Sequence, residues 1–433
     1  MRTLFGPRIG AGFNRLWAAS AVSNLGDGVT MVAGPLLLVS LTDNPALIAG
    51  GVFAGQAPWL LFALISGAWA DRLDRRRLIV AVNLVRALAL AALTAAVATG
   101  QATVWLVYAV VFVLGVAETL ADTAAGALVP AIVPAEHLDR ANARFGFTFT
   151  VINQFAAKPL GAWLFGLSAA IPFGLDAVTF AVSALLVLTL PPIPAADPEP
   201  RRGLFTEIGE GLTWLWRHRL LRTLALAMGL GNIAFCAAFA TFVLYARDRL
   251  GLSSVGFGFL LTAFAVGGVL GSLTAVRLAR SLGATTVLRA GLLIEVAFHL
   301  VLAVTTHPLV AAAAIVVFGV HTMVWGVTVS TLRQRLVPSR LFGRVGSVYT
   351  LLESGGAAAL GTLIGGLLAT VWSLTTPFYL AALSMAAIAA VAWKPMSLAS
   401  KATPTTTPAD SHTAHSPDSP HLPSSVPNTP HLP

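Results

Sequence analysis

Charge is what this sequence has least of. Asp, Glu, Lys and Arg make up 10% of its 433 residues, where a soluble domain carries about 25%. A deficit of that size belongs to chains whose solvent is lipid. It excludes the roughly three soluble domains that length alone would suggest. Cysteine is scarcer still. Cys236 stands alone, so no intrachain disulfide holds the fold, and it reads as a small core residue. Enzyme signatures are missing too. No G-x-x-x-x-G-K-[ST] loop is present to grip a nucleotide, and no H-E-x-x-H, G-x-S-x-G or metal-ligand cluster has a credible site around it. Neither an enzyme nor a bound cofactor or metal is expected. No cleavable signal is evident, because the run after Arg2, Arg8 and Arg15 is too long for one and is interrupted by Asp27.

Apolar sequence fills the chain instead, 56% of the residues. It comes in runs long enough to cross a bilayer core of roughly 30 Å, which takes about 20 helical residues. Twelve such runs predict helices near 13–41, 46–69, 78–99, 103–128, 144–168 and 171–190, then 221–246, 254–276, 284–304, 308–332, 344–369 and 374–393. Pro35, Pro58, Pro159, Gly267, Gly268, Gly365 and Gly366 fall inside them. Membrane helices tolerate this, since neighbouring helices satisfy the freed backbone groups. The fold class is therefore all-α integral membrane, with twelve transmembrane helices in two six-helix pseudo-repeats.

Lys and Arg set the orientation. With both termini in the cytoplasm, all but five of the 27 basic residues lie on that side or at its helix ends. Arg247 and Arg249 fall outside; Arg86, Lys158 and Arg289 fall within the membrane. The net charge of +9 thus belongs to membrane flanks and not to a nucleic-acid binder. The chain divides into a first bundle (1–190), a cytoplasmic linker (191–219), a second bundle (220–394) and a cytoplasmic tail (395–433). In the linker, Leu204, Phe205, Ile208, Leu212, Leu215 and Trp216 alternate at near-helical spacing with Glu207, Glu210, Arg217 and Arg219. That pattern predicts an amphipathic helix on the membrane surface. The tail is rich in Pro, Ser and Thr and lacks apolar periodicity, so disorder is expected. Its histidines, His412, His415, His421 and His431, are irregularly spaced and read as composition and not as a metal site.

The two halves repeat. A shift of 204 residues lays Ala131–Ala143 over Arg335–Ser347, matching Val133-Pro134 with Val337-Pro338 and Arg140 with Arg344. The same shift pairs Gly161 with Gly365 and Gly67 with Gly271. Parallel repeats imply a two-fold axis along the membrane normal and a substrate site near the midplane between halves.

The densest charge in the chain, GAWADRLDRR, stands between spans 2 and 3. Gly67, Asp71, Arg72, Arg75 and Arg76 complete the pattern G-x-x-x-D-R-x-x-R-R. Its place in a six-plus-six chain resembles the major facilitator superfamily, over about residues 13–393. The stretches SNLGDGVT, QAPWLLFALISGAWADRLDRRR and VPAEHLDRANA look like the branch of macrolide-efflux and enterobactin-exporter proteins. In span 5, AAKPLGAW keeps only Pro159 of the G-P-x-x-G-G carried by many drug exporters of the superfamily. The resemblance implies alternating access, with Asp71 reaching the cytoplasmic end of span 11 to latch that side closed. Read from the residues alone, the arginines hold the loop in the cytoplasm, and Asp71 begins the turn towards span 3, where it can face a positive helix N-terminus. In the second half Gly271–Arg280 has Ala275 where Asp71 stands.

Charges inside a membrane cost at least about 2.5–3.5 kcal/mol and mark pathways by default. At about 1.5 Å per residue, Asp27 lies roughly 21 Å from the cytoplasmic end of span 1, Glu118 lies roughly 18 Å deep in span 4, and Lys158 is near the same level. Spans 1 and 4 line the cavity in the family that the sequence resembles. Asp27 and Glu118 are therefore the expected proton or substrate carboxylates, with Lys158 as their counter-charge. Asp122, one turn from Glu118, is expected to pair structurally with Arg86 at equal depth. Glu295 and His299, four residues apart in span 9, read as a structural pair near Arg289. His321 in span 10 and Glu353 in span 11 form a second candidate proton relay. Asn24, Asn153, Gln154, Trp325 and Gln334 are further polar or aromatic candidates for substrate and gate contacts.

The expected function is secondary transport in the cell membrane by a monomer, whose partners are the bilayer, a small-molecule solute and protons. Efflux of a hydrophobic or amphiphilic solute is the first reading. A small-metabolite importer and a non-transporting sensor on the same fold are the alternatives.

Overall fold

The structure, a computed structural model, describes residues 10–72, 74–190, 204–338, 341–353 and 355–401. Among them there is no β-strand. The first half consists of α1 (Ala11–Leu41), α2 (Pro45–Arg72), α3 (Arg75–Ala98) and α4 (Val104–Ile132). A composite rod follows, in which α5 (Leu138–Thr148) passes through a π segment, Phe149–Ala157, into α6 (Lys158–Leu167). Then comes α7 (Ile171–Leu188), and after it the linker helix α8 (Leu204–Arg217). The second half begins with α9 (Arg219–Phe239), the single turn α10 (Phe242–Leu244) and a π segment, Tyr245–Arg249. It continues with α11 (Ser254–Leu282), α12 (Ala284–Val304), α13 (Pro308–Leu336), a second composite rod of α14 (Phe342–Glu353) and α15 (Gly355–Val371), α16 (Thr376–Met396) and α17 (Leu398–Lys401). Ten of these helices are long and apolar enough to cross a membrane. The other two crossings, at predicted spans 5 and 11, are the composite rods. The Pro-rich start of the linker and the tail beyond Lys401 lie outside the described residues.

Local chemistry sets the helix ends. Asp74 caps α3, accepting from the backbone N–H of Arg76 at 2.9 Å and of Arg77 at 3.2 Å. Thr103 caps α4 and Ser253 caps α11 in the same way. Gly283 alone joins α11 to α12, and its φ of 75° is one that side chains other than glycine's rarely adopt. On the face that carries α8, hereafter the linker face, Arg15 donates to the carbonyl of Thr189 at 2.9 Å and Arg76 to that of Leu188 at 2.6 Å. Two arginines thus cover the unsatisfied carbonyls at the end of α7.

The repeat has two offsets and not one. Val104–Ile132 and Pro308–Leu336 lie 204 residues apart at both ends, as do the rods 138–167 and 342–371. However, α1 (11–41) corresponds to 219–249, a shift of 208. The helices α3 and α12 start 209 residues apart. The expected pairing of Gly67 with Gly271 therefore fails, because the loops of the first half are a few residues shorter up to that point. The pairing of Gly161 with Gly365 holds, and a shared packing contact shows why. A Cβ on Gly161 would stand 2.6 Å from the carbonyl oxygen of Val29, and one on Gly365 would stand 2.0 Å from that of Ala237. Val29 and Ala237 are themselves 208 residues apart. The same backbone approach, open only to the smallest residue, fastens span 5 to span 1 and span 11 to span 7.

Contacts between halves lie on the side away from the linker face. There α15 packs on α2 and α11 on α6. Thr362 donates to Gln56 at 3.3 Å. At the surface Arg247 bridges Asp43, across the halves, at 2.9 Å and Asp248 at 2.6 Å. The hydrogen bond to Asp248, and after it that to Asp43, raises the guanidinium pKa still further. The linker helix is docked and not free on the surface. Glu210 pairs with Arg344 of α14, and Leu215 is buried.

Candidate functional site

In the first half the intramembrane charges converge. Arg86 of α3 is buried, with its guanidinium 4.9 Å from the ring centre of Phe180. It lies within electrostatic range of Asp27, Glu118, Asp122 and Asp176. Its Nε finds no hydrogen-bond partner among the described residues. The sequence reading missed Asp176, the most buried carboxylate of the four, at 1% exposure. Thr30 of α1 donates to its Oδ2 at 2.6 Å and Thr179 to its Oδ1 at 3.0 Å. Gly26 makes room for this arrangement, because a Cβ there would stand 2.0 Å from Asp176 Oδ1. A signal was available, since an acid in an apolar run is costly wherever it occurs. Asp176 is the sixth residue of α7, close enough to a span end to pass as interfacial.

Several expected partnerships change. Lys158 is not the counter-charge of Asp27 and Glu118; Arg86 is. The Lys158 ammonium donates to Gln154 Oε1. Gln154 in turn donates to Asn153 Oδ1 at 3.2 Å, and Asn153 donates to the backbone oxygen of Asn24 at 3.1 Å. The π segment brings these amides against α1, and such segments recur at functional sites. Arg86 and Asp122 are not a separate structural pair, because three further carboxylates share the arginine. Asp71 does not cap span 3. It stands in the last turn of α2, and Asp74, three residues on, is the cap. The side chains of Gly67, Asp71 and Arg72, and so the expected latch, lie outside the described residues.

In the second half, Glu295 and His299 do not pair through their side chains. His299 Nδ1 bonds the backbone oxygen of Glu295 at 2.8 Å. The Glu295 carboxylate instead meets His321 Nε2 at 3.4 Å. The side chain of Glu353, the expected partner of His321, lies outside the described residues. Arg289 is anchored at the end of α16, donating to the carbonyl of Trp393 at 2.8 Å and lying 4.8 Å from that ring's centre. Glu295 and His321 border a cavity of about 320 Å³ whose walls include Asn232, Phe235, Phe318 and Trp325. The sequence reading named Trp325 and missed Asn232 and both phenylalanines, since a phenylalanine in an apolar span carries no signal of its own.

Two charged or polar constellations thus face the interior of a twelve-span helical scaffold, and neither resembles an enzyme centre. Residues 3–419 match the family described as transmembrane secretion effector, within the major facilitator superfamily. The chain belongs to this family. It is a multi-pass membrane transporter. It is 25% identical over 360 residues to the enterobactin exporter EntS of Salmonella choleraesuis, covering 82% of this chain and 85% of that protein. It is 28% identical over 395 residues to the multidrug efflux pump Tap of Mycolicibacterium fortuitum, covering 86% and 93%. Among solved structures, the nucleoside transporter NupG superposes with a TM-score of 0.69 at 15% identity, covering 89% of this chain and 99% of that one. That likeness is one of fold.

Proposed function

We propose that this transporter exports a small hydrophobic or amphiphilic solute from the cytoplasm in exchange for protons. The bundles 1–190 and 220–394 would rock about the solute as a monomer in the cell membrane. The linker 191–219, the tail 395–433 and both termini would lie on the cytoplasmic side. The distribution of Lys and Arg supports that orientation, and the names of the two relatives support export. The observation that carries proton coupling is the charge balance of the first half. Four carboxylates, Asp27, Glu118, Asp122 and Asp176, share one arginine. Ionised together in a low-dielectric interior they would leave three uncompensated charges, so protons must reside among them in at least one state. A carrier that exchanges protons for solute needs groups of that kind, whose load changes as the cavity changes sides.

Inverted vesicles with an acid interior test the reading. Loaded with a cellular small-molecule extract, vesicles bearing the protein should accumulate solutes that vesicles without it do not, as read by mass spectrometry. Collapse of the proton gradient should end the accumulation. Accumulation that ignores the gradient would overturn proton coupling.

A further inference from the structure

The cavity of the second half has a chemistry of its own. Its volume, about 320 Å³, is at the low end of small-molecule sites. It lies inside the second bundle, between α9, α11, α12, α13 and α16, and not at the interface between halves. One wall is a slab of nearly parallel rings. Phe318 stacks on Phe298 at 4.1 Å and 10° and on Phe235 at 5.4 Å and 10°, and Phe235 stacks on Phe239 at 4.3 Å. Trp325 closes on His321 edge to face at 5.7 Å. Met228 and Met385 add soft, deformable walls. Glu295 is the only Asp, Glu, Lys or Arg in the lining. Its side chain is 18% exposed against 5% for His321. The carboxylate therefore still reaches open space after meeting the imidazole.

These features select among solutes. Ring faces attract cations through their quadrupoles, and a carboxylate does so more strongly. An aromatic anion would meet Glu295 with no Lys or Arg in the walls to offset it. We infer that this cavity binds the aromatic, positively charged part of a solute, with its ring against Phe235 and Phe318 and its cationic nitrogen toward Glu295. The inference rests on the export reading for its purpose, because it names the class of solute carried. It does not rest on proton coupling.

Equilibrium dialysis of the purified full-length protein in detergent tests it without any gradient. The probes are ethidium, a flat aromatic cation, and 1-anilinonaphthalene-8-sulfonate, an aromatic anion. Ethidium should bind saturably and more tightly than the anion. Glu295→Gln keeps the shape and removes the charge, and it should weaken ethidium by roughly ten- to a hundredfold while leaving the anion unchanged. Phe318→Leu should weaken ethidium by less and leave its preference over the anion in place. Melting curves identify any variant that fails to fold, and for such a variant ethidium protection of Phe235→Cys from a thiol reagent replaces dialysis. Equal binding of cation and anion, or ethidium binding that Glu295→Gln leaves intact, would overturn the inference. Loss of ethidium binding beside intact proton-driven accumulation of other solutes would leave the export reading standing. The reverse result would leave the cavity standing and remove the coupling.

Discussion

Counted from the first residues of α3 and α12, the twelfth is Arg86 in one and Glu295 in the other. In α4 and α13 the fifteenth residues are Glu118 and Thr322, and the nineteenth are Asp122 and Gly326. Duplicate helices thus hold opposite or absent charges at matching positions. The first half gathers four carboxylates around a cation. The second keeps one carboxylate beside a histidine and fills the space with rings. Backbone packing, in contrast, is retained between the halves, as the Gly161 and Gly365 contacts demonstrate. Duplication fixes where helices cross, and the side chains that do not make crossings are free to diverge. That freedom is what allows one half to handle protons and the other to hold solute in the proposed cycle.

The largest expected effect separates those two tasks. Glu118→Gln or Asp27→Asn should reduce proton-driven accumulation in vesicles to background, while exchange of solute for solute partly survives, because exchange needs no net proton movement. Lys158→Ala should leave the pH dependence of transport unmoved, since its ammonium is engaged by Gln154 and not by the acids. If both carboxylate variants still concentrate solute on a proton gradient, the contrast between halves has no functional content, and coupling should be sought at His321.

Next comes the energetic contrast between the two intramembrane arginines. Arg86→Gln removes the cation shared by four carboxylates, which should cost about 3–5 kcal/mol. Arg289→Gln loses bonds to one exposed carbonyl and should cost about 1 kcal/mol. Thermal unfolding in detergent reads both. Equal losses would mean that the cluster around Arg86 is not a single electrostatic unit.

The duplicated crossing predicts a smaller and nearly symmetric pair. Gly161→Ala and Gly365→Ala each push a methyl group against a backbone oxygen that cannot swing away. Each should cost about 1–3 kcal/mol, with Gly365 the costlier because its approach is closer. Unfolding of the two variants side by side is the measurement, and a tolerated Gly161→Ala would break the symmetry argued above.

The smallest effect is at the outer surface. Asp43→Asn breaks a bridge to Arg247 whose side chains are 84% and 41% exposed, so its stability effect should be about 0–1 kcal/mol. Its value lies in conformation. Cysteines placed at Asn44 and Leu252 should cross-link less readily in the variant if the bridge helps to hold the halves together.

How much of this was legible in the sequence follows a physical line. Membrane spans are read from composition, because a helix in lipid must be apolar over a length set by the bilayer, whatever its neighbours are. The twelve crossings, the amphipathic linker helix, the paired glycines and the depth of Asp27 and Glu118 could therefore be derived one segment at a time. Partnership could not. Which cation serves Asp27 depends on how α1, α3, α4 and α7 rotate about their own axes, and an apolar helix has no polar face to reveal its rotation. Depth alone put Lys158 near Asp27, yet Arg86 is the residue that tertiary packing turns toward it. Depth put His321 with Glu353, yet the crossing of α12 and α13 gives it Glu295. The aromatic cavity was the least legible feature of all. Phenylalanines that line a void and phenylalanines that face lipid have the same sequence, and only the placement of five helices around one space tells them apart.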